Sequence, residues 1–361
     1  MSFKIYFIFF SVLILIFSIF FKLFIVGFKI SNPCMNINIT NYSRDIKKLN
    51  PPIPLLLSTD INLIYPTIVT ITSACVNASP YTSYKFYVFI SNDFNEEQKD
   101  IFNTVHSDYP HCSVELKEIP KNYMELFNYD KIRTATYYRL FAAKILKNED
   151  KIIYVDGDVI IRKDLTDLYK VNMKDLHFRG FLDSEKYDMT KLGFDPKISI
   201  CAGVLLMNLK QMREDDYYKK LEIFVKKNNV NILKYDQTII NILFPNKVGS
   251  LEPVYGIYNF YSVNSVKNYH KQLQSNQLLK YDLNKMIDSI LGNVSIVHLT
   301  HRPKPWDRIY YDSLWFHKRN NFSYKNEWWN YVTKTQLCNS IYSFYLNGKK
   351  INYSFLDHFK Y

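Results

Sequence analysis

Most of the features that assign a chain to a function class at sight are missing here. Among 361 residues there is no CxxC pair and no cysteine spacing of the metal-binding kind. The five cysteines, at 34, 75, 112, 201 and 338, are odd in number and widely separated. That argues against a disulfide framework and leaves buried thiols as the expectation. No internal repeat or low-complexity tract is present, which excludes solenoids and arrays. The formal net charge is +12, yet the basic residues are scattered and form no stripe that would track a phosphate backbone. No nucleic-acid partner is therefore expected. Solvated surface lysine is the first account of the charge, and an anionic membrane or a phosphate-bearing substrate the second.

Charge is also missing from Ile5 to Phe21, and the apolar run resumes after Lys22 as far as Phe28. As a helix, residues 5–28 would measure roughly 36 Å at 1.5 Å per residue, enough to cross a hydrocarbon core of about 30 Å. Lys22 near one end can reach the headgroups. A cleaved signal peptide is the rival, but no small-x-small cleavage site follows. The expectation is an uncleaved single-pass signal-anchor, a membrane contact through residues 5–28. Its direction is open. Lys4 precedes the span, whereas Lys22, Lys29, Arg44, Lys47 and Lys48 follow it, which would keep the remainder cytoplasmic. Sequons at Asn38, Asn41, Asn77, Asn293, Asn321 and Asn352 are compatible with a lumenal orientation.

Residues 29–52 are polar, without periodicity, and close on Pro51-Pro52, as a stalk does. Apolar runs at 53–57, 84–90 and 114–119 read as strands. The periodic segments at 63–77, 95–109 and 134–146 read as helices. This alternation predicts a doubly wound, mostly parallel sheet. Shorter strands are expected at 178–182, 204–207 and 295–299, with helices at 217–228 and 237–244. The last fifty-odd residues are aromatic and basic.

One stretch carries chemistry. The run Lys151-Ile-Ile-Tyr-Val-Asp156-Gly157-Asp158 is an apolar strand that ends in two carboxylates one residue apart. Strands of α/β sheets bind ligands at their carboxyl edge. Two aspartates at i and i+2 can reach one cation there, with Gly157 allowing a tight turn. Hard oxygen ligands suit Mg²⁺ or Mn²⁺ bridging to phosphate. A solvated Asp-Gly-Asp turn is the bland alternative.

Further pieces stand with the pair. Cys201-Ala-Gly203 bends into an apolar strand, Tyr235-Asp236-Gln237 opens a helix, His298 closes a strand, and Lys304 follows in a proline-restrained loop. In this order and spacing, roughly residues 53–306 resemble glycosyltransferase family 8, the retaining nucleotide-sugar enzymes. The resemblance implies an A-type glycosyltransferase fold, a single Rossmann-like nucleotide-binding domain with a mostly parallel central sheet, here behind an N-terminal transmembrane helix. It divides the chain into an anchor (1–28), a stalk (29–52), a catalytic domain (53–306) and a C-terminal extension (307–361). It implies hexose transfer, of galactose or glucose, from a UDP-sugar donor to a glycan or glycolipid acceptor, with Mn²⁺ as cofactor and Mg²⁺ as a substitute.

By the same resemblance Asp156, Asp158 and His298 match the metal ligands. Lys304 matches the lysine on the donor diphosphate, Arg139 an arginine on the donor, and Thr59, Asp60 and Asn62 the nucleoside-binding turn. Gly157 lies within the donor-binding pair. Asp183 and Asp236 match carboxylates near the donor sugar, and Gln237 the residue beneath its anomeric carbon. An amide oxygen is weakly basic, so Gln237 favours same-face attack by the acceptor over covalent double displacement.

Each residue has a plainer account as well. His298 can be a hydrogen-bonded structural histidine, Asp236 a helix cap, and Arg139 a surface ion-pair partner. Two positions depart from the family pattern: Cys201 stands where an asparagine is usual, and His301 where a glycine is. Two other readings stay open, a haloacid-dehalogenase-like phosphohydrolase with Asp156 as nucleophile, and a non-catalytic relative that binds sugar nucleotides. A eukaryotic origin would place the catalytic part in the Golgi or ER lumen, a bacterial one on the cytoplasmic face of the inner membrane.

Overall fold

A computed structural model describes Cys34 and residues 50–127, 131–183, 198–227, 235–260, 262–275, 282–289, 294–301, 304–307 and 324–346. The expected span at 5–28 lies outside these residues. Among the described residues no helix is long and apolar enough to cross a membrane.

A seven-stranded sheet runs through the domain in the order β3-β2-β1-β4-β7-β6-β8. Its strands are β1 (Ile53–Ser58), β2 (Tyr84–Ile90), β3 (Cys112–Glu118), β4 (Ile152–Val155), β6 (Phe178–Leu182), β7 (Ile200–Met207) and β8 (Val248–Ser250). A second sheet joins β5 (Val159–Ile161), β10 (Ile296–His298) and β9 (Ile257–Tyr258), in that order. Helices α1 (Ile64–Asn77) and α2 (Glu96–Asp108) make the crossovers between β1, β2 and β3, which pair in parallel. Strand β4 joins β1 in parallel, and the mostly parallel α/β sheet expected from the sequence is present. The exception is β7, antiparallel to both β4 and β6. Strands β4 and β7 have no exposed residue, so continuous apolar runs rather than alternation mark them in the sequence.

Helix α1 explains a pattern that is not apolar. Thr70, Ser73 and Asn77 recur every three or four residues and face β5, while Thr67, one turn earlier, lies against Thr59 and Gly157. Thr70 Oγ1 donates to Gly157 O and Val159 O, Ile161 N donates to Ser73 Oγ, and Asn77 Nδ2 donates to Ile161 O. Buried backbone groups need partners, and this helix face supplies them along β5. The Asn77 amide also donates to Ser73 O and Tyr331 OH. A glycan on this nitrogen would replace one of its two hydrogens and displace part of this bonding.

Two expectations are corrected. Residues 134–146 were expected as one amphipathic α-helix. They form instead 3₁₀ turns over Lys131–Phe141 and a single α-turn over Ala142–Ile145. The tighter winding stacks i and i+3, and Arg139 Nε accordingly donates to Thr136 O. The expectation of buried thiols fails at Cys75 and Cys112, which are joined by a disulfide with Cα atoms 6.4 Å apart. Their 37-residue separation hid a pairing that parallel crossovers bring about. Cys201 is free and buried, as expected.

Candidate active site

Parallel pairing of β1 with β4 puts the turns after both strands at one edge. Antiparallel pairing brings the start of β7 to the same edge, with Val155 opposite Val204 and Asp156 N donating to Gly203 O. The chain then reverses at Gly157 into β5, whose Val159 pairs with His298 of β10. His298 thus reaches the aspartate pair across 140 residues of sequence. Its Nε2 lies 3.2 Å from Asp158 Oδ1 and 3.4 Å from Asp156 Oδ2. One ligating atom from each of the three side chains falls within 4.8 Å of the others, a set that can hold a metal ion. Two donors at right angles around a cation, each about 2.0–2.2 Å from it, stand about 3 Å apart, so these separations fit. Carboxylates with one imidazole suit Mn²⁺ or Mg²⁺ better than a thiophilic ion.

Two glycines are set by space. A Cβ on Gly203 would lie 2.0 Å from His298 Cε1 and 2.7 Å from Asp156 Oδ2, so the imidazole rests against bare backbone. A Cβ on Gly157 would meet Thr67 Oγ1 at 2.4 Å. Gly157 is therefore needed for close approach to α1.

Charge is concentrated and partnered here. Burial alone would raise the Asp158 carboxyl, but Lys304 and His298 outweigh it and hold the group far below the usual carboxylate range. Lys304 Nζ is 2.8 Å from Asp158 Oδ2 and also donates to Leu299 O and Thr300 O. Arg139 is buried, not a surface ion-pair partner. Its guanidinium contacts Asp156 Oδ1 at 2.7 Å, Asp236 Oδ2 at 3.0 Å and Ala202 O. Burial pushes the Asp236 carboxyl up to about 6, with Arg139 opposing and Asp156 reinforcing.

Asp236 and Gln237 lie in the first turn of α3 (Tyr235–Leu243), which packs on β7. Gln237 Oε1 accepts from Ala202 N at 3.0 Å. One turn on, Asn241 exchanges two hydrogen bonds with the backbone of Ile200. Asp183, at the end of β6, accepts from Tyr258 OH. At the other turn, Asp60 Oδ1 accepts from Asn62 N and Leu63 N and so closes the turn that leads into α1. Asn62 is exposed beside it, whereas Thr59 has no exposed surface and its hydroxyl bonds to Thr67 and to Asp60 O. Thr59 shapes this turn without offering a surface to a ligand.

Several participants were not read from the sequence. Tyr154 donates to Asp156 Oδ1, and Tyr258 stacks on the His298 ring with centroids 6.2 Å apart. The one available signal for Tyr154 was its place two residues before Asp156 on a strand, hence on the same face. At the departing positions, Cys201 Sγ lies 3.5 Å from His298 Nδ1, and the backbone of His301 is held by Asn259 Oδ1.

Comparison with known proteins agrees with this arrangement. The model of Glycosyl transferase family 8 matches residues 54–310. The chain belongs to glycosyltransferase family 8. Among family relatives, a Haemophilus influenzae protein described as a glycosyltransferase is 31% identical over 177 residues, 45% of this chain and 51% of that one. Glycosyltransferase GlyE of Streptococcus pneumoniae is 26% identical over 200 residues, 55% of this chain and 41% of that one. The chain thus spans about half the length of these curated relatives. Among solved structures, the galactosyltransferase LgtC superposes with a TM-score of 0.57 at 22% identity, covering 71% of this chain and 90% of that one. The bifunctional glycosyltransferase WbbM gives 0.62 at 19% identity, covering 82% and 53%. At these identities the likeness shows the shared A-type glycosyltransferase fold.

Proposed function

We propose that this family 8 member is a retaining, metal-dependent hexosyltransferase that moves galactose or glucose from UDP to a glycan or glycolipid. The observation that carries the reading is the convergence of Asp156, Asp158 and His298 at the carboxyl edge of the sheet. When bound there, Mn²⁺ or Mg²⁺ supplies positive charge beside the diphosphate leaving group. Lys304, already against Asp158, adds a second cationic group on that side. Asp60 and Asn62 border the nucleoside at the turn after β1. Asp183 and Asp236 line the donor sugar, and Arg139 fixes both Asp156 and Asp236 from beneath. Gln237, with its amide oxygen bonded to Ala202 N, is held under the anomeric carbon as a weak base. That supports same-face attack by the acceptor hydroxyl.

The Cys75–Cys112 disulfide supports a location in an oxidising compartment, on the lumenal or external side of the membrane that residues 5–28 would anchor. It weighs against the orientation suggested by the flanking lysines.

The test is a screen of UDP-hexoses for UDP release, with and without Mn²⁺. Release from UDP-galactose or UDP-glucose that requires the cation is the expected outcome. Mn²⁺-strengthened UDP binding with no turnover of any donor would favour a non-catalytic relative. Aryl-phosphate hydrolysis blocked by Asp156→Asn would revive the phosphohydrolase reading, which the pairing of Asp156 Oδ1 with Arg139 and Tyr154 weighs against.

A further inference from the structure

The two carboxylate oxygens of Asp156 are held differently. Oδ1 accepts from Tyr154 OH and from Arg139 Nη2, each at 2.7 Å. Oδ2 faces His298 Nε2 at 3.4 Å. Tyr154 precedes Asp156 by two residues, so both side chains leave the backbone on one face. Its ring has no exposed surface and lies 4.1 Å from the Arg139 guanidinium carbon. A buried phenol requires a partner for its hydroxyl, and an ionised carboxylate is the strongest acceptor it can find. Two donors on Oδ1 oppose rotation of the carboxylate about Cβ–Cγ and leave one oxygen turned toward Asp158 and His298.

We propose that Tyr154 is a positioning residue for the metal site: its hydroxyl, acting with Arg139, locks Asp156 so that Oδ2 alone is presented to the cation. This rests on the reading of Asp156, Asp158 and His298 as metal ligands. Arg139 also braces Asp236, Ala202 and Thr136, so its removal would disturb several contacts at once. Tyr154→Phe removes one hydroxyl and keeps the ring, which makes it the sharper probe.

The experiment is a Mn²⁺ titration of the full chain, following the free-ion signal by electron paramagnetic resonance, for wild type, Tyr154→Phe and Tyr84→Phe. Tyr84 is an equally buried tyrosine at the amino end of β2, where its hydroxyl bonds to Leu165 N and Asp164. Outer contacts of a metal ligand are worth about 10–100-fold in metal affinity. Tyr154→Phe is therefore expected to bind Mn²⁺ about tenfold more weakly or worse, while Tyr84→Phe binds as wild type does and loses only thermal stability. If a variant is marginally folded, the rise in Tm on adding Mn²⁺ reads the same affinity through linkage. Tyr154→Phe binding Mn²⁺ as tightly as wild type would overturn the proposal and leave the metal site standing. Wild type that binds no Mn²⁺ would overturn the metal reading itself.

Discussion

Among the described residues His177 and His298 are both buried beside aspartate and lysine, and of the two it is His298 that belongs to a site able to hold a cation. His177 pairs through Nε2 with Asp215 Oδ2 at 2.7 Å, and Lys247 joins the same carboxylate from 3.3 Å. Rings of Phe178, Tyr217 and Phe244 surround the imidazole, and its Nδ1 has no hydrogen-bond partner. His298 instead turns Nε2 toward two carboxylates on one turn, neither closer than 3.2 Å. One acid against one nitrogen makes a closed pair that ties the residue before β6 to the end of the helix Leu209–Glu214. Two acids set back from one nitrogen leave a gap of ligand dimensions. The chemical ingredients match in the two places; the difference lies in how many carboxylates the backbone aims at the ring.

Asp158→Ala breaks the comparison most directly. It removes one of three ligands, so Mn²⁺ affinity should fall by more than the roughly 100-fold ceiling for outer contacts, and metal-dependent UDP release should vanish. Asp215→Ala should leave Mn²⁺ affinity unchanged while costing about 1–3 kcal/mol of stability, the penalty for stranding a buried polar partner. Equal loss of Mn²⁺ binding in both variants would erase the distinction. Gly203→Ala drives a methyl group into the His298 ring and should weaken Mn²⁺ binding about tenfold or more. Retained affinity would mean that the imidazole does not rest against Gly203.

The remaining outcomes are smaller and concern stability. Replacing Cys75 and Cys112 by serine should cost about 2–4 kcal/mol in denaturant unfolding. A protein that reductant leaves equally stable would refute the disulfide. Burial lowers the affinity of His177 for a proton from its ordinary 6.5, with Asp215 opposing. The unfolded chain then binds a proton that the folded one lacks, so the stability this group contributes falls as pH drops below about 6.5. Asp236, raised to about 6, works in the opposite sense over the same window, so urea midpoints at pH 7.5 and pH 5 are compared between wild type and Asp215→Ala. Asp215→Ala, by removing the opposing carboxylate, should enlarge the loss.

The sheet was legible because β1, β4 and β7 are apolar runs between turn residues and β2 is broken only by Lys85, and Asp156 and Asp158 were legible because they end one of those runs. Asp60 was visible for the same reason, although its Oδ1 proves to be engaged in the turn before α1. The buried state of Arg139 was not legible: an arginine in a polar 3₁₀ segment looks solvated until β7 and α3 close over it. Nor was the face of α1, where Thr67, Thr70 and Ser73 read as interruptions of an apolar pattern. Thr70 and Ser73 are buried because β5 presents backbone groups to them, and Thr67 because it packs on Thr59 and Gly157. The disulfide was missed because spacing along the chain says nothing about which crossover ends meet.

The order of residues alone determined the strand-ending aspartate pair, the alternation of strands and helices, and with them the family. Local rules suffice for that, since strand propensity and turn chemistry act within a few residues. Only the tertiary structure decided which histidine faces two carboxylates, which oxygen of Asp156 faces that histidine, and which cysteines join. Those depend on strand register between segments up to 140 residues apart. A shift of one residue there turns every side chain to the opposite face.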